Sequence, residues 1–78
     1  MWLDATNAPY VLTKPMHQTQ RLVKTNDDGS IIIHLLITEN YEFERLLLGF
    51  GNGLEVLQPE GLRNRIKSIL EKSAERYQ

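Results

Sequence analysis

Ile31-Ile32-Ile33-His34-Leu35-Leu36-Ile37 is the run that most limits what this chain can fold into. β-Branched side chains lose rotamer freedom in a helix but pack well on a pleated surface, so residues 30–39 read as a strand. Side chains along a strand alternate between its two faces. Ile31, Ile33, Leu35 and Ile37 then share one face, with Ile32 and Leu36 on the other. A strand that is apolar both ways belongs inside a sheet, with both faces at least partly covered.

The neighbouring segments supply the sheet's other parts. Asn26-Asp27-Asp28-Gly29 carries an Asp-Gly turn signal, which makes a hairpin of this strand and the polar, extended residues 16–25 before it. Trp2-Leu3-Asp4-Ala5 reads as a short first strand. Thr6 or Asn7 can cap a helix that takes Pro9 in its first turn and that Pro15 ends. Asn40 is a good N-cap for a second helix, with Glu42 and Glu44 near its positive end. Phe43, Leu46, Leu47 and Phe50 fall on one face of it.

Three glycines follow, Gly49, Gly51 and Gly53, and they invite comparison with a phosphate loop. Phosphate loops run strand, glycines, helix, so that the positive helix end meets the anion. Here the order is helix, glycines, strand, so an anion would face the negative end. The glycines are therefore punctuation: Gly49 or Gly51 as a left-handed cap, and Asn52-Gly53 as the turn into Leu54-Glu55-Val56-Leu57. Pro59 opens a last helix with Leu62, Ile66, Ile69, Leu70, Ser73 and Tyr77 as its buried stripe, and Arg65, Lys72 and Arg76 on another side. The resulting order, β-α-β-β-α-β plus a C-terminal helix, predicts an α+β, ferredoxin-like antiparallel sheet with two helices on one face. Residues 1–78 make one such domain.

At 78 residues the chain buries only about 60–65% of its unfolded surface, so a partner or a neighbouring domain is expected to cover an exposed apolar face. The net charge is −1, which gives no global attraction to nucleic acid. There is no cysteine, hence no disulfide, thiol nucleophile or thiolate metal site. No apolar run approaches the ~18 residues of a membrane span, and no basic-then-apolar leader begins the chain. Strand-like residues directly after Met1 point to a cytoplasmic piece cut from something longer.

Chemistry is sparse. His17 and His34 sit on successive strands of the hairpin, but two imidazoles without nearby carboxylates make a poor metal site, and His34 reads as a core-edge residue. Asp27 and Asp28 are turn residues. Ser30, Ser68 and Ser73 have no histidine placed to activate them. An enzyme is not expected, nor a metal or cofactor. The aromatics that RNA-recognition sheets carry on their first and third strands are missing except for Trp2. Arg63, Arg65, Lys67, Lys72 and Arg76 alternate with Glu60, Glu71 and Glu75 as a solvated face, from which Arg63 and Arg65 are the candidates for a phosphate contact. Lys14-Pro15-Met16-His17-Gln18-Thr19-Gln20-Arg21 remains. It is either an edge strand guarded by polar side chains or a strand that contacts a ligand or partner through Lys14, His17, Gln20 and Arg21.

Taken in order, Met16-His17-Gln18-Thr19-Gln20, the Asp-Asp-Gly turn, Leu46 to Gly49, and Leu54-Glu55-Val56-Leu57 through Pro59, Leu62 and Arg63 resemble the C-terminal extension, or WCX domain, of WYL-domain proteins. Those are bacterial transcriptional regulators with an N-terminal winged helix-turn-helix and a middle WYL domain. The resemblance spans nearly the whole chain. The aromatic common before the histidine is Met16 here, which removes a stacking ring. No helix-turn-helix and no WYL tripeptide occur in these residues.

The resemblance implies a regulatory domain that helps form a homodimer or transmit effector binding. Its partners would be the WYL and helix-turn-helix portions of its own regulator, with DNA contacted by the latter. The implied effector is a nucleotide or single-stranded nucleic acid, and no membrane is involved. A different reading is a stand-alone, ACT-like domain that binds small molecules. A small acylphosphatase-type enzyme would need an arginine in the loop after the first strand, and Asp4-Ala5-Thr6-Asn7 has none.

Overall fold

The computed structural model describes residues 1–38 and 40–78. Among these residues it is an α+β arrangement of four strands and three α-helices, with a single 3-10 turn at Gly51–Gly53: β1 (Trp2–Leu3), α1 (Ala8–Thr13), β2 (Arg21–Thr25), β3 (Ile31–His34), α2 (Tyr41–Leu48), β4 (Leu54–Glu55) and α3 (Glu60–Glu75). The strands form one sheet in the order β2-β3-β1-β4, and every neighbouring pair is antiparallel. The isoleucine run therefore lies inside the sheet, between β2 and β1.

Its cover is one-sided. Ile31 and Ile33 are buried, together with Leu3 of β1 and Leu54 of β4, against Val11, Phe43, Leu47, Leu62 and Ile66 of the helices. Ile32 is half-buried, His34 is exposed and Leu36 is 65% exposed. The regular strand also stops at His34, and Glu39, the end of the run, lies outside the described residues. The second apolar face is thus left open instead of being covered, because all three helices feed a single core on the other side.

Local chemistry sets most boundaries. The hairpin closes on Asn26 to Ser30, with Gly29 at φ 89° and Asn26 N–H donating to the Ser30 carbonyl at 2.8 Å. Asn40 accepts from Phe43 N–H at 2.8 Å and starts α2 as a side-chain cap. Gly51, at φ 57°, takes the left-handed conformation, whereas Gly49 remains right-handed. Gly53 serves a different need: a Cβ there would run into the Asn7 side-chain amide, so glycine allows the turn before β4 to close on the start of α1.

The helices bury less than their periodicity predicts. Phe43 and Leu47 are buried on α2, but Leu46 is 45% exposed. On α3 only Leu62 and Ile66 are buried. Ile69, Leu70, Ser73 and Tyr77 are exposed, because the outer half of this 16-residue helix extends past the sheet that its first turns cover.

Candidate binding surface

Residues 14–20 form a knot of side-chain bonds between α1 and β2, not a strand. The Gln20 Oε1 accepts from Met16 N–H at 2.8 Å, and its Nε2 donates to the Val11 carbonyl at 3.0 Å. The last turn of α1 is thereby clasped to the loop that leaves it. Thr19 N–H donates to His17 Nδ1 at 3.1 Å, and the Thr19 hydroxyl lies 2.8 Å from the same nitrogen. With Nδ1 accepting, a neutral His17 ring carries its proton on Nε2. The Thr19 hydroxyl in turn accepts from Leu36 N–H at 2.9 Å and reaches the Leu36 carbonyl at 3.2 Å. His17 thus steers a side chain that stands in for the next rung of the β2–β3 ladder, and it also lines a shallow depression beside Asn40, Glu42 and Leu46.

Immediately after this knot, Arg21 enters β2 opposite His34, and Lys24 stands opposite Ile32. Cross-strand partners share a face, and Ile31 and Ile33 face the core, so Arg21, His34 and Lys24 lie on the open side. Trp2 pairs with Ile32 on one flank and Glu55 on the other, and extends that surface toward β4. The result is a cationic side at β2, an apolar centre of Ile32 and Trp2, and a neutralised side at β4, where Glu55 is ion-paired with Arg63. Arg63 also donates to the Val56 carbonyl at 2.8 Å. Arg65 is ion-paired with Glu44, which ties α3 to α2. Lys14 is exposed at the end of α1.

Of the contact residues expected from sequence, Arg21 lies on this open face, and Arg63 reaches its β4 side only through Glu55. His17 and Gln20 are engaged within the chain, and Arg63 and Arg65 already hold carboxylates. His17 does not oppose His34: the register places Arg21 there. Nor does His34 sit at the core edge. Lys24, His34 and Trp2 complete the surface and were invisible as a group until the register was known.

A cleft of about 650 Å³ adjoins the same face, at the end of the sheet where β1 begins. Met1, Leu35, Ile37, Phe43, Leu57 and Leu62 are among the residues that line it. The Met1 ammonium donates to the Ile33 carbonyl at 2.8 Å, and burial holds it below the usual range of an amine.

The family model described as the WCX domain matches residues 1–74. The chain belongs to the WCX domain family. WCX domains are associated with WYL-type regulators, so this is broadly a regulatory domain, and WCX is not an enzyme family. Comparisons with curated proteins and with solved structures give no match. Among the described residues no helix of this WCX domain is long and apolar enough to cross a membrane.

Proposed function

We propose that this WCX domain is the regulatory C-terminal module of a WYL-type DNA-binding transcriptional regulator, and that the open face of its sheet receives a nucleotide or short single-stranded nucleic acid as effector. The observation that carries the reading is the pair of cations Arg21 and Lys24, with the His34 ring opposite Arg21, set beside the apolar surface of Ile32 and Trp2 on an uncovered sheet. Phosphate suits the first part and a base the second, since stacking on an aromatic ring is tolerant of base identity. His17 and Gln20 contribute by fixing the chain that delivers Arg21 into β2, and Lys14 flanks that entry. Arg63 and Arg65 would reach a phosphate only by exchanging Glu55 and Glu44 for it.

The sheet order β2-β3-β1-β4, with helices between β1 and β2 and between β3 and β4, supports the ferredoxin-like plan. The WCX match favours a module of a larger regulator over a stand-alone ACT-like sensor. An effector bound here would regulate only by preferring one arrangement of the whole protein over another, and DNA would be contacted by the helix-turn-helix portion. The exposed stripe Ile69, Leu70 and Tyr77 favours a second role, homodimerisation through α3.

Amide NMR titration tests the first reading. Adding mononucleotides and short single-stranded oligonucleotides at two salt concentrations should shift Trp2, Arg21, Lys24, Ile32 and His34, with affinity falling as salt rises. An unchanged spectrum at millimolar ligand would remove the effector role and leave the α3 surface, which sedimentation over a concentration series measures.

A further inference from the structure

The cleft beyond Met1 passes through the plane of the sheet. Its lining takes Ile32 and His34 from the open face and Leu35, Phe43 and Leu62 from the helix-covered face. A gap of this kind arises when one strand stops short of both its neighbours, and the hydrogen bonds show which one.

Ile33 exchanges two bonds with Met1: its N–H donates to the Met1 carbonyl at 2.8 Å, and its carbonyl accepts from the Met1 amine. Leu36 turns its N–H and carbonyl the other way, to the Thr19 hydroxyl. Arg21 opposite His34 implies Thr19 opposite Leu36, so residues 34–36 keep the β2–β3 register past the end of the regular strand. Successive residues of an antiparallel ladder direct their polar groups to opposite edges. Leu35 and Ile37 therefore offer theirs along the line of β1, where no described residue bonds them.

The far wall repeats the pattern. Asp4 N–H donates to the Gly53 carbonyl at 2.9 Å, and Trp2 stands opposite Glu55. The next rung in that register falls on Leu57, which also has no backbone partner among the described residues.

We propose that this slot receives an extended segment joined to Met1, lying in line with β1 between residues 35–38 and Leu57, so that the chain entering from a preceding domain becomes a strand of this sheet. The inference rests on reading the chain as one module of a longer regulator. The residue joined to Met1 would bond Leu57 and face the open side beside His34. The one before it would bond Leu35 and lay its side chain over Phe43 and Leu62, which calls for apolar residues at alternate positions. A segment joined at Met1 enters the slot with no loop to close and without the association cost of a separate peptide. It would also replace a half-buried ammonium by an amide that makes the same bond to Ile33 without burying charge. Such a junction is stiff, so a displacement of the preceding domain is carried directly to Ile33 and His34.

The test is to place Val-Lys-Val-Thr before Met1 and measure amide hydrogen exchange at Leu35, Ile37 and Leu57. Controls are the same four residues reordered as Lys-Val-Thr-Val, a Gly-Ser-Gly-Ser extension, and free Val-Lys-Val-Thr peptide. Exchange at the three amides should slow at least about tenfold with the first extension and much less with the controls, because the reordered one turns its apolar residues to the open side. Unchanged exchange, or equal protection by Gly-Ser-Gly-Ser, overturns the proposal; equal protection by the free peptide overturns the joined segment as occupant. These amides report the fold of this domain alone, so failure here leaves the regulator reading intact, and failure of the nucleotide titration leaves the slot intact.

Discussion

Replacing Gln20 by alanine separates a residue that holds the fold from one that waits for a ligand. The side chain makes two bonds, from Met16 N–H and to the Val11 carbonyl, at 2.8 and 3.0 Å in a partly buried setting. A hydrogen bond of this kind is worth about 0.5–1.5 kcal/mol net, so losing both costs about 1–3 kcal/mol. For a domain of this size each 1 kcal/mol moves the thermal midpoint by about 4–8 °C, which makes a fall of about 8–16 °C the central expectation. Urea denaturation followed by circular dichroism at 25 °C gives the free energy directly, provided the slope against urea is unchanged. Gln20→Glu should also lose stability, because a carboxylate still accepts from Met16 N–H but has no hydrogen to give the Val11 carbonyl. If Gln20→Ala lies within about 0.5 kcal/mol of the parent, the range of ordinary surface substitutions, the clasp carries no load and Gln20 returns as a contact residue.

Two further outcomes follow from the turns. Gly53→Ala should destabilise by about 1–3 kcal/mol through overpacking against Asn7, and Asn7→Ala in the same molecule should recover part of that loss, read as coupling in a double-mutant cycle. Additive costs would show that the two sites do not meet. The Asp28 carboxyl is held below its usual range first by the Ser30 hydroxyl and then by the Ser30 N–H, so the folded state favours the charged form. A lowered carboxylate contributes stability above its unfolded value near 3.8, and that contribution is lost as pH falls through the lower folded value. Asp28→Asn should therefore flatten the acid limb of a stability-against-pH curve; an unaltered limb would refute the assignment.

The parts of the fold legible in the sequence are those whose cause is local. The Asp-Gly hairpin, the Asn40 cap and the order of elements each depend on residues within a few positions of one another. The site was legible only in part. Arg21 is visible as a cation on a polar stretch, but its company with His34, Lys24 and Trp2 depends on three strands meeting in register. The polar run from Lys14 to Arg21 looked uniform, yet its members divide by geometry: His17 and Gln20 turn inward to bond backbone groups, and Lys14 and Arg21 stay exposed.

The sequence by itself determined that this is an alternating α+β chain with its most apolar strand inside a sheet, because side-chain alternation and helix period are properties of consecutive residues. Tertiary structure alone decided what covers that strand. All three helices feed one core, so the face with Ile32 and His34 stays open and the outer half of α3 runs past its support. It also decided that Gly51 takes the positive φ and not Gly49. Periodicity states which side of an element is apolar, but whether that side is buried depends on the lengths and positions of the elements opposite.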